Sequence, residues 1–98
     1  MSQVITVIAS ITATPGEEKV VADAVKPAER EVKGEPGWES YVLHQNSSQP
    51  QQFIMLERWS SRQHLNEHEK APAFQKLAAA LNNRASLDVV LSQEVSAD

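Results

Sequence analysis

The sequence contains no cysteine, which excludes thiol catalysis, iron–sulfur ligation and a thiolate-ligated haem. It has no cluster of basic residues longer than two, and its formal net charge is −4. The electrostatic footprint that a phosphate backbone requires is therefore missing, and nucleic acid is not an expected partner. Long hydrophobic runs are absent as well. The longest mainly apolar stretch, Val4 to Ala13, is too short to span a bilayer, and the N-terminus lacks the basic segment of a signal peptide. No membrane association is expected; a cytoplasmic location is, and the lack of cysteine agrees with it. Glycine is scarce, at three residues, so collagenous or low-complexity architectures are excluded. What remains, 41% hydrophobic and 22% charged over 98 residues, is the composition of a globular chain with one core, read as a single domain over residues 1–98.

Val4 to Ala13 is rich in β-branched residues and alternates, placing Ile5, Val7, Ala9, Ile11 and Ala13 on one strand face. Thr14-Pro15-Gly16-Glu17 then has the spacing of a capping box. Val21, Val25, Ala28 and Val32 trace the apolar stripe of a helix from about Gly16 to Lys33, with Glu29 and Lys33 at ion-pair spacing and Pro27 as a predicted kink. Gly34 and Pro36-Gly37 end it in a tight turn. A second strand follows from Trp38 to Gln45, with Trp38, Ser40, Val42 and His44 on one face and Tyr41 and Leu43 on the other.

The polar loop "NSSQPQQ" and a strand from Phe53 to Trp59 complete an antiparallel hairpin. Ser60 and Gln63 have capping-box spacing for a short helix with His64, Leu65 and His68, and Pro72 opens another with Phe74, Leu77, Ala78 and Leu81 buried. Leu87 to Val95 alternates as the last strand. The order β-α-β-β-α-β, with the second helix broken, is that of an α+β, ferredoxin-like split βαβ sandwich with a four-stranded antiparallel sheet. Apolar residues occupy both faces of the first and third strands, so the bare face is expected to pair with a second copy in a homodimer.

The third strand carries the chemistry. Phe53, Met55, Glu57 and Trp59 share a face, so Glu57 points where its apolar neighbours point, while Arg58 looks away toward an ion pair. A buried carboxyl needs hydrogen-bond donors or a raised pKa, so Glu57 is either a pocket acid or base, or a structural anchor. Trp59 is either core or a platform for a flat ligand. His64 and His68 have the i, i+4 spacing of metal ligands, but no third ligand is apparent; no metal is expected, and His64 is expected to face water. His68 lies near the stripe that meets the sheet, with a pocket role or a bond to Glu57 both open.

Glu35-Pro36-Gly37, Tyr41, Phe53, Glu57-x-Trp59 and the histidine nine residues beyond that tryptophan, His68, then Pro72 and Phe74, resemble the antibiotic-biosynthesis monooxygenase family over almost the whole chain. The resemblance implies a dimeric α+β barrel with a pocket between sheet and helices in each subunit. It also implies an oxygenase that needs no cofactor, neither metal nor flavin, and acts on a phenolic or quinol-like aromatic substrate. On that reading His68 and Glu57 are catalytic, and Trp59, Tyr41, Phe53, Met55 and Phe74 hold the substrate. Family look-alikes also include isomerases of small ketones, for which His68 or Glu57 would be the base, and members with no assigned activity, which leaves a non-catalytic ligand-binding dimer open. Haem-degrading look-alikes carry the iron-ligating histidine about where this chain has Ala78, a tryptophan at the place of His68, and an asparagine in the first strand, which residues 3–13 lack. Haem is therefore not expected.

Overall fold

The structure, a computed structural model, describes residues 3–95; the expected domain of 1–98 extends beyond them at both ends. Seven elements follow in the order β1 (Ile5–Ala13), α1 (Glu18–Val32), β2 (Trp38–Gln45), β3 (Gln52–Trp59), α2 (Arg62–Lys70), α3 (Pro72–Leu81) and β4 (Ala85–Ser92). The strands form one antiparallel sheet in the order β2-β3-β1-β4. This is the α+β ferredoxin-like fold. The helices cover the sheet face that carries Ile5, Val7, Ala9, Ile11 and Ala13 of β1 and Phe53, Met55, Glu57 and Trp59 of β3, all buried, against Val21, Val25, Ala28 and Val32 of α1.

Several local expectations are corrected. Thr14 does not cap α1. Gly16 takes φ +92° and the Glu17 amide donates to the Thr14 carbonyl, so Pro15-Gly16 make a separate turn and the helix begins two residues later than expected, at Glu18. Pro27 sits inside α1 without dividing it. Glu29 leaves Lys33 and instead accepts from the Leu43 amide of β2, an edge strand whose outward amides need such partners.

Trp38 was expected on the face of Ser40, but Glu39 is an extra residue in the β2–β3 ladder. Trp38 pairs with Trp59 and Ser40 with Arg58, so the bulge returns Trp38 to the inner face. The cap of α2 is Ser61, whose hydroxyl accepts from the His64 amide. β4 ends at Ser92, opposite Thr6, three residues short of the expected Val95. On α3, Leu77 and Leu81 are buried, Phe74 is half-buried and Ala78 is exposed.

Two features of the sheet matter for function. On the side away from the helices, Val42, Leu56, Ile8 and Val90 form one row straight across all four strands, each more than a third exposed. On the helix side, Leu87 (52% exposed) and Val89 (45%) of β4 are left uncovered, since α1 lies against β2 and α2 against β3.

Candidate active site

A cleft lies between the sheet and α2 and α3, opening beside β4. Val7, Ala9, Met55, Phe74, Leu77 and Val89 are among its apolar walls, and Tyr41, Glu57, His68 and Glu69 are its polar ones. Its volume is about 70 Å³.

His68 is the centre of the arrangement. It is buried on α2, and its ring is stacked on Trp59 at 4.4 Å and 28°, with Tyr41 and Phe74 edge-on at 5.7 and 5.5 Å. Nδ1 donates to Oε1 of Glu35 at 2.7 Å. In a neutral ring that leaves Nε2 with the lone pair, facing Oε1 of Glu57 at 3.9 Å, too far for a hydrogen bond. Glu57 Oε1 accepts from the Trp59 indole at 2.9 Å. Burial pushes the Glu57 carboxyl up to about 7; the charges of Glu69 and Glu35 act in the same direction, and the indole bond opposes them. Tyr41 is held well above the ordinary phenol range, first by burial and then by the charges of Glu57 and Glu35. Near neutral pH the cleft thus presents a phenol O–H, a carboxyl poised between its two forms, and an imidazole oriented by Glu35.

Local sequence explains how these groups meet. Glu35, Pro36, Gly37 and Trp38 form a second Pro-Gly turn, closed by the Trp38 amide on the Glu35 carbonyl, with Gly37 at φ +79°. The Ser60 amide ties the Gly37 carbonyl to the end of β3. His64 packs against Gly37 so closely that a Cβ there would overlap its ring, and its Nδ1 lies within hydrogen-bond distance of the Ser60 and Ser61 hydroxyls. The two histidines one helical turn apart therefore serve the same turn, His64 by covering Gly37 and His68 by bonding Glu35. His64 is half-buried and does not face water as expected. Among the described residues no group of three or more His, Asp or Glu side chains is arranged to hold a metal.

Ala71 is extended (φ −76°, ψ 156°), as a residue before proline prefers, and it separates α2 from α3 so that Phe74 can turn back onto His68. Of the residues singled out from the sequence, Tyr41, Met55, Glu57, His68 and Phe74 line the cleft. Trp59 is fully buried behind His68, and Phe53 is buried in the core away from the lining. Arg58 turns outward to Glu39 at 3.7 Å, and His44 is exposed. Glu35 was not foreseen as a site residue; its one signal was the Glu-Pro-Gly triplet itself.

The fold and this buried His-carboxyl cluster define a small α+β protein with a cleft between sheet and helices. The family model for antibiotic biosynthesis monooxygenase matches residues 4–80, and the chain belongs to that family, with the monooxygenase-like general function that membership carries. Solved structures agree on the fold. PA3566 from Pseudomonas aeruginosa is 24% identical with a TM-score of 0.91, each chain covered to 98%. A conserved protein from Methanosarcina mazei Go1 is 20% identical at 0.87, covering 96% of this chain and 95% of that one. A structure described as an antibiotic biosynthesis monooxygenase is 24% identical at 0.87, covering 94% and 99%. No curated protein matches the chain.

Proposed function

We propose that this chain is a cytoplasmic, homodimeric monooxygenase that oxidises a phenolic or quinol-like aromatic substrate in the cleft beside His68, without metal or flavin. The observation that carries this reading is the buried imidazole itself. Glu35 fixes Nδ1, and Nε2 is left without a hydrogen bond at the polar end of an apolar cleft. A phenol entering over Leu87 and Val89 would present its hydroxyl to Nε2. The imidazole takes the phenolic proton, and Glu35 stabilises the imidazolium that results. The phenolate is electron-rich enough to donate an electron to dioxygen where the neutral phenol is not. One oxygen atom is then retained on a ring carbon and the other leaves as water, with the two hydrogens and the electrons supplied by the substrate. Phe74, Met55 and Tyr41 supply the walls and keep water from the anion.

The cleft volume of about 70 Å³ is smaller than the roughly 150 Å³ apolar cavity that holds a benzene. Even a single ring therefore reaches toward the mouth, where exposed Leu87 and Val89 offer an apolar floor. Dimerisation is supported by the outer row Val42, Leu56, Ile8 and Val90, which a second sheet would cover, and by the typically dimeric state of the family.

Oxygen uptake with hydroquinones, naphthols and anthrones tests the reading. Wild-type protein is expected to consume oxygen, and His68→Ala is expected to lose on the order of 10²-fold or more in rate. No uptake with any of these, or a His68→Ala protein as fast as wild type, overturns it. The adjacency of an imidazole and a carboxyl with its pKa pushed up to about 7 favours a second reading, an isomerase that moves a proton between neighbouring carbons of a small ketone. Turnover under strict anaerobiosis separates the two.

A further inference from the structure

Apart from His68, which can take up a proton, the ionisable groups around the cleft are acidic. Among the described residues its ionisable lining consists of Tyr41, Glu57, His68 and Glu69, with no lysine or arginine. Glu35 lies behind His68 and adds a third carboxyl to the neighbourhood. The basic residues of α2 and α3 are engaged elsewhere or lie outside the lining: Arg62 donates to Asn66, Lys76 pairs with Glu31, and Lys70 does not reach the cleft. Glu69 is exposed at the mouth, whereas Glu57 is buried, so a ligand passes one carboxylate before it meets the other.

An anion entering this space would give up its hydration to apolar walls, with no permanent cation to receive it, only an imidazole already paired with Glu35, and two carboxyls beside it. An uncharged ring with a hydroxyl incurs neither cost. We propose that the cleft excludes anions and that Glu69 is the specificity-determining residue at its mouth, so that the substrate is an uncharged aromatic and not its carboxylated or phosphorylated counterpart. This rests on the cleft being the ligand site proposed above. Glu69 anchors the α2–α3 elbow only through its carbonyl, which accepts from Gln75. Its side chain can therefore be changed without removing that bond.

The test is binding, measured by calorimetry without oxygen so that turnover plays no part. The probes are 6-hydroxy-2-naphthamide and 6-hydroxy-2-naphthoate, which match in shape and differ in charge. Wild-type protein is expected to bind the amide about tenfold more tightly or better at low salt, with the ratio shrinking as salt is added. Glu69→Gln should reduce the ratio several-fold and Glu69→Lys further, by improving the naphthoate, with amide affinity held within about twofold. Equal binding of the two probes to wild-type protein, or an unchanged ratio in both variants, overturns the proposal and leaves the oxygenase reading standing. Discrimination without oxygen uptake overturns the oxygenase reading alone. Failure of both probes to bind overturns both.

Discussion

Glu57 makes the acid–base behaviour of this protein run against the usual direction for a carboxylate. Its folded pKa of about 7 lies above the ordinary value of 4.5, so between those values the native state holds a proton that the unfolded state has released. Stability attributable to Glu57 is therefore fully present below about pH 4.5 and is lost as the pH rises toward 7, with a slope of at most roughly 1.4 kcal/mol per pH unit. Urea titrations from pH 4.5 to 7.5 should show this slope in wild-type protein and a flatter profile in Glu57→Gln. The two tryptophans give a second contrast. They stand opposite each other across β2 and β3, yet Trp59 Nε1 donates to Glu57 while Trp38 Nε1 is the one buried side-chain donor without a partner among the described residues. Trp59→Phe should cost about 1–3 kcal/mol in denaturant unfolding by leaving the carboxyl without its donor, and Trp38→Phe distinctly less. That Glu57 and Trp59 share an inner face was legible from period-two counting alone. The true face of Trp38 was not, because the bulge at Glu39 shifts the phase by one residue and leaves no mark in the hydrophobic pattern.

Among the elements, the Glu35-Pro36-Gly37 turn has the widest reach, since β3, α2 and the His68 ring are all referenced to it. Gly37→Ala should cost at least about 2 kcal/mol, one part from the positive φ and one from overlap with His64. Adding His64→Ala should return in urea unfolding only the share due to the ring atoms, because the Cβ of residue 64 also lies where the new methyl would go, and should leave the backbone part. Helices and strands were readable because their apolar periods repeat over many residues, as Val21, Val25, Ala28 and Val32 do. The caps of α1 and α2 were misplaced by one to three residues because Thr14-Pro15-Gly16 serves equally as a turn, and because Ser60 and Ser61 are chemically equivalent candidates. Glu35 escaped notice for a different reason. Its partner His68 is distant in sequence, and no local spacing encodes a contact made only when α2 folds back over the sheet.

For the molecule as a whole, the outer row Val42, Leu56, Ile8 and Val90 sets the expected assembly. Sedimentation of wild-type protein should give a dimer, and Leu56→Glu, which places a charge at the middle of the row, should give a folded monomer by circular dichroism; a dimeric variant would move the interface elsewhere. The sheet order also bears on how the protein folds. β1 occupies an interior position and is hydrogen-bonded on one side by β3 and on the other by β4, the last of the described strands, as in the pairing of Ile8 with Val90. A nascent or refolding chain can close the β2–β3 hairpin early from local contacts. It must hold one edge of β1 open until the sequence-distant β4 arrives, and that non-local closure is the slow step expected of such a topology and the moment of greatest exposure to misassembly.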